Sequence, residues 1–178
     1  DVVDRLVGFT RSDGAKTFSV ELPASISGAP ASDERSVVVP LLDGTLCRVD
    51  TDGTELWTVD LGGALSDVAI ANETVYVGCA TESVVAIDLE TGQRQWSSGI
   101  DNTVFARPLV ADGRVFVGGV DYYLSAFDAA SGKLLWRTET PNAITTGPTI
   151  VEEKLITLSG GGRRLRGRSG SVPYAPTV

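Results

Sequence analysis

The sequence predicts an all-β chain built from repeated four-stranded units, and three observations predict it. An aromatic follows a glycine by four positions four times over: Gly14 and Phe18, Gly53 and Trp57, Gly92 and Trp96, Gly132 and Trp136. Those glycines stand 39, 39 and 40 residues apart, a period that marks a repeat architecture. Between the markers the chain alternates apolar and polar as half-buried strands do, and no helical periodicity of useful length competes. Four short strands in about forty residues are one blade of a β-propeller.

The elements follow in order. Ahead of the glycines lie Leu46-Cys47-Arg48-Val49-Asp50, Val84-Val85-Ala86-Ile87-Asp88 and Leu124-Ser125-Ala126-Phe127-Asp128. Asp-Gly, Thr-Gly and Ser-Gly then supply the positive-φ corner of a tight hairpin. Earlier in each period come the strands at residues 36–39, 74–77, 114–117 and 154–157, and before them those at 67–70, 107–110 and 147–150. With strands A to D running outward, residues 5–20 hold the C and D strands of one blade. Residues 28–60, 67–98 and 106–138 hold three whole blades, and 147–158 begin another. The expected product is a partial ring of about four blades over residues 1–158.

Composition narrows the function. The chain has 178 residues with 42% hydrophobic and 21% charged, enough to bury a core and too apolar for disorder. Its 23 acids and 15 bases give a net charge of −8, and residues 1–158 alone carry −12. That field repels nucleic acid and anionic membrane. Three lysines against twelve arginines, on an acidic surface, fit a high-salt, halophilic setting. The chain has no stretch long enough to span a membrane. Having no histidine removes Ser-His-Asp, Cys-His and His-metal chemistry. Cys47 and Cys79 form no CxxC and are expected to be buried free thiols, with Cys47 in the slot of Ala86.

Ala86-Ile87-Asp88-Leu89-Glu90-Thr91-Gly92-Gln93-Arg94-Gln95-Trp96 resembles the PQQ-like propeller repeat, as does Ala126 to Trp136. Such repeats occur in quinoprotein alcohol and glucose dehydrogenases and in the barrel-assembly lipoprotein of Gram-negative outer membranes. The resemblance implies that Trp57, Trp96 and Trp136 each dock into a neighbouring blade, with Phe18 in the same place. It also implies what a quinoprotein enzyme needs: a catalytic acid, bound calcium, and often an adjacent Cys-Cys pair against the quinone. None of these can be placed here, so no catalytic residue and no metal site is assigned.

Propeller ligands collect where loops enter the innermost strands, here residues 27–30, 63–67, 102–107 and 142–148. The polar candidates on them are Asp67, Asp101, Asn102, Arg107, Asn142 and Thr146. Arg107 leads, because a guanidinium at a strand start can hold a carboxylate through two bonds; a structural partner in the next blade explains it equally well. Asp50-Thr51-Asp52-Gly53-Thr54-Glu55 reads as a hairpin turn rather than a calcium loop. Asn72-Glu73-Thr74 is a glycosylation sequon. The repeat fails at residues 163–169, where Arg-rich sequence replaces the expected strand; a shifted reading frame, a linker or an added tail each account for residues 159–178.

The expected function is a non-catalytic binding or scaffolding module, part of a larger extracytoplasmic or cell-surface protein, that takes a protein or peptide partner on its loops or open blade edge. No cofactor is expected. The alternative is a fragment of a quinoprotein dehydrogenase, for which quinone and calcium would be the cofactors.

Overall fold

The computed structural model describes residues 4–160 apart from 82, 100–103 and 105. Its strands are β1 (Arg5–Phe9), β2 (Lys16–Glu21), β3 (Ala31–Ser32), β4 (Ser36–Pro40), β5 (Thr45–Asp50), β6 (Glu55–Asp60), β7 (Leu65–Ala71) and β8 (Thr74–Cys79). There follow β9 (Ser83–Asp88), β10 (Arg94–Gly99), β11 (Leu109–Ala111), β12 (Arg114–Gly118), β13 (Tyr123–Asp128), β14 (Leu134–Glu139), β15 (Thr149–Val151) and β16 (Lys154–Ile156). They form three antiparallel four-stranded sheets, β3 to β6, β7 to β10 and β11 to β14, flanked by the pairs β1–β2 and β15–β16. This is the arc of a β-propeller.

Local chemistry sets each hairpin. Asn72 and Glu73 (φ 49° and 58°) and Asp112 and Gly113 (φ 49° and 70°) take positive φ in pairs, the type I′ pattern that joins β7 to β8 and β11 to β12. At the β9–β10 corner the Asp88 carboxylate accepts from the Thr91 amide at 2.8 Å and hydroxyl at 2.7 Å. Asp128 does the same with Ser131 at the β13–β14 corner. In the first complete blade Asp50 accepts from the amides of Asp52 and Thr54, so the acid-rich loop is a capped turn.

The core lies between blades. One cluster joins Val38 and Leu46 of the first complete sheet to Val68, Val75 and Ile87 of the second. Another joins Tyr76, Ala86 and Trp96 to Val115 and Phe127. Burial on both sides makes the middle strands apolar on both faces; all six residues of β8 are buried.

Aromatic rings fasten these joints. A Cβ added to Gly53 would lie 2.9 Å from the Phe18 ring, one on Gly92 2.9 Å from Trp57, and one on Gly132 2.5 Å from Trp96. Each ring therefore rests on a bare glycine of the following blade, burying apolar surface worth about 2 to 3 kcal/mol per large side chain. Trp57 Nε1 also donates to the Leu89 carbonyl at 2.8 Å, and Trp96 Nε1 to the Ala129 carbonyl at 2.9 Å. Trp136 differs. It is 37% exposed, against 9% for Trp96, and meets Phe116 of its own sheet at 5.9 Å between centroids.

Candidate functional site

Gly28, Asp67, Arg107 and Gly147 stand 39, 40 and 40 residues apart, so they hold one position in four successive repeats. That position is where the chain enters the innermost strand. A Cβ on Gly28 would lie 2.8 Å from the Asp67 amide nitrogen, and one on Gly147 3.0 Å from the Arg107 carbonyl oxygen. Loops of neighbouring blades thus stack on one another around the inner rim. The Ala29 amide donates to Asp67 Oδ1 at 2.6 Å and the Val68 amide donates to the Ala29 carbonyl, tying two blades there.

Between these loops lies a cleft of about 480 Å³ lined by Asp67, Ala69 to Ala71, Arg107 to Val110, Gly147 and Pro148. It brings Asp67 and Arg107 to one site. Asp67 is half-buried and Arg107 exposed, and among the described residues Arg107 has no hydrogen-bond or ion-pair partner. Thr146 is exposed and directly precedes Gly147. Asn142 is half-buried outside the lining, its carbonyl accepting from Thr140 Oγ1 at 2.8 Å. Asp101 and Asn102 lie outside the described residues, as does the Arg-rich segment at 163–169.

A second cleft, of about 810 Å³, opens between the first two complete blades at their turn ends, lined by Asp33, Glu34, Arg48, Asn72, Glu73, Asp88 and Glu90 among others. Its wall holds a residue that sequence reasoning passed over. Arg48 is 4% exposed; its Nε donates to Ser36 Oγ at 2.7 Å and its Nη1 to the Leu89 carbonyl at 2.8 Å. Glu90 lies 3.0 Å and Asp33 3.5 Å from the same guanidinium. Burial pushes the Asp33 carboxyl up, but the Arg35 and Ser36 amides, the Ser36 hydroxyl and Arg48 outweigh it, so it rests below its ordinary value. Arg48 faces Trp57 as Ala86 faces Trp96, so Arg48 and not Cys47 holds the slot of Ala86. Its signal was the one charge at an alanine position.

Cys47 and Cys79 are free and buried. Thr58 Oγ1 donates to Cys47 Sγ at 3.5 Å, and burial pushes the Cys47 thiol up. Among the described residues no three His, Cys, Asp or Glu side chains are grouped to hold a metal ion. Asp67 is the one carboxylate lining the inner cleft among those residues, and one of its oxygens is already bonded. The quinone and calcium set is therefore not matched by the residues described.

The family model of outer membrane protein assembly factor BamB matches residues 1–103 and 42–172. The chain belongs to this family. BamB of Moraxella catarrhalis has a similar structure, with TM-score 0.73 and 23% identity over 90% of this chain and 54% of that one. The computationally designed Ika8 protein is similar at TM-score 0.75 and 20% identity, over 84% of this chain and 48% of that one. Quinohemoprotein alcohol dehydrogenase ADHIIG of Pseudomonas putida HK5 gives TM-score 0.59 and 26% identity over 66% of this chain and 21% of its own. No curated protein matches. The chain spans about half the length of the first two structures, 54% and 48%. Among the described residues no helix is long and apolar enough to cross a membrane.

Proposed function

We propose that this member of the BamB family is a non-catalytic binding module that holds an extended protein segment in the inner cleft. The observation that carries the reading is the cleft itself. β7 and β11 are the edge strands of their sheets, and between them stands an exposed guanidinium without a partner among the described residues. An edge strand offers unpaired amides and carbonyls to an added strand, and Arg107 offers a two-bond grip on a carboxylate. No cofactor is needed for that task. The family resemblance and the acidic composition support work outside the cytoplasm, at a cell surface and in high salt. The chain then contributes part of a larger scaffold.

The test is fluorescence polarisation with a labelled octapeptide of alternating Val and Thr carrying one Asp. We expect saturable binding that Arg107→Ala weakens about tenfold or more, the scale of a lost charge-assisted contact. An Asp13→Ala control, in the β1–β2 turn and outside the cleft lining, leaves it unchanged. Titration with pyrroloquinoline quinone and Ca²⁺ is expected to leave the Trp fluorescence unaltered. A saturable change there, with no peptide binding, would instead support a piece of a quinoprotein dehydrogenase.

A further inference from the structure

The turns from the second to the third strand of the first and third complete blades, residues 41–45 and 119–123, have one structure. In each the first amide donates to the fifth carbonyl, Leu41 to Thr45 at 2.9 Å and Gly119 to Tyr123 at 3.1 Å. In each an aspartate accepts from the amide two residues on, Asp43 from Thr45 and Asp121 from Tyr123. In each the fourth carbonyl accepts from the residue after the outer strand, Gly44 from the Leu61 amide at 2.9 Å and Tyr122 from the Thr140 amide at 2.6 Å. Both fourth residues have positive φ, 94° at Gly44 and 68° at Tyr122. Glycine takes that conformation freely, and a bulky side chain takes it at a cost. The third blade thus carries a tyrosine where glycine forms the same turn at lower free energy.

Nothing inside the chain offsets that cost. Tyr122 is 53% exposed, and among the described residues its hydroxyl has no hydrogen-bond partner and its ring no aromatic neighbour. The loop after β14, to which its carbonyl is bonded, is already joined to the next blade. Ile144 bridges Ser159 there, and the Gly160 amide donates to the Ala143 carbonyl at 3.2 Å. The backbone beneath the ring is held as well: Asp121 is ion-paired to Arg137, whose guanidinium lies 4.1 Å over the Tyr123 ring. Backbone strain of this kind persists where a site uses it, and an exposed tyrosine on a fixed backbone loses little freedom when a partner covers it.

The turn stands beside the way out of the inner cleft. Leu109 of β11 pairs with Phe116 of β12, so the residues before Leu109, Arg107 among them, lie at the end where β12 runs into the turn of Tyr122. That turn joins β12 to β13, which places it about one and a half strand spacings, or about 7 Å, outward from the start of β11. Two residues of extended chain span that distance at about 3.3 Å each, and residues two apart share a face. We propose that Tyr122 is a second anchor for the segment held in the inner cleft. While Arg107 holds an acidic residue, the segment leaves across the end of the third complete blade and lays an apolar side chain, two positions from the acid, on the Tyr122 ring. The site therefore selects an acidic residue and an aromatic one separated by a single residue. The inference rests on the reading of the cleft as a strand-binding site and adds the sequence that the site prefers.

Fluorescence polarisation compares the octapeptide of Val and Thr carrying one Asp with the same peptide bearing Phe two positions to either side of the Asp. The Phe peptide is expected to bind about tenfold more tightly, the size of gain an aromatic contact provides. Phe moved to the positions next to the Asp, on the opposite face of the strand, gives no gain. Tyr122→Gly should remove the gain and leave the parent peptide within about twofold, with a melting temperature equal to or above that of the unsubstituted chain, because glycine meets this φ freely. Equal affinity for the two peptides, a gain that survives Tyr122→Gly, or a lowered melting temperature would each overturn the proposal. If Arg107→Ala still weakens the parent peptide in those cases, the cleft binds its segment without Tyr122. Binding of neither peptide by the unsubstituted chain removes both readings.

Discussion

The guanidinium of Arg48 sits where two other repeats have the methyl groups of Ala86 and Ala126. It does in the first joint what the Tyr76 hydroxyl does in the second. The Leu89 carbonyl accepts from Trp57 Nε1 and Arg48 Nη1, and the Ala129 carbonyl accepts from Trp96 Nε1 and Tyr76 Oη. Its ion pair with Glu90 contributes little, because that carboxylate is 84% exposed and screened. The buried bonds to Ser36 and Leu89 contribute more. Arg48→Ala is expected to cost about 2 kcal/mol in urea unfolding followed by Trp fluorescence, and Glu90→Ala no more than about 0.5 kcal/mol. A larger loss from Glu90→Ala would shift the weight to the ion pair. Strand alternation could not reveal Arg48, since alternation separates core from solvent and β5 has core on both faces. By contrast, the repeat spacing alone put Asp67 and Arg107 at equivalent places on the inner rim. That Asp67 would bond the Ala29 amide depends on how far one sheet is rotated from the next, which spacing does not encode.

At the scale of the element, the hairpin corners are held by carboxylates. Asp88 is kept below its ordinary value by the Thr91 hydroxyl and amide, and Asp128 by the hydroxyl and amide of Ser131. A carboxyl depressed in the folded state contributes stability above its unfolded value of about 3.9, and that contribution is lost as pH falls through the lower folded value. The melting temperature should therefore be level from pH 7 to about 5 and fall below about 4. Asp88→Asn with Asp128→Asn should lower it at pH 7 and flatten the acid limb; an unchanged limb would clear these corners of the role. The glycine and aromatic spacing made these hairpins legible in the sequence. The strands read at 67–70 and 74–77 also placed the β7–β8 turn, but not its conformation, because Glu73 at φ 58° is a residue that rarely adopts that geometry, and the sheet around it holds it there.

Over the whole molecule, charge and shape act together. A net −8 on a chain of this size favours solubility and opposes compaction through self-repulsion. Raising KCl from about 0.1 M to about 1 M shortens the screening length from about 10 Å to about 3 Å. The melting temperature should rise over that range, as scanning calorimetry can measure; a fall would mean that attractive pairs such as Arg48 with Asp33 outweigh the like charges. The all-β propeller class was legible because one period runs through the chain. Which of its aromatics dock was not, because a ring's burial is decided by the next sheet and Trp136 carries the same local signature as Trp96.

The three occupied ring-on-glycine joints, spaced 39 or 40 residues apart, have a consequence for how such a chain can change. Every joint presents the same knob and the same socket. Excising or duplicating one unit of that length in a gene leaves each surviving neighbour with a mate, so the number of staves becomes a matter of counting rather than of new chemistry.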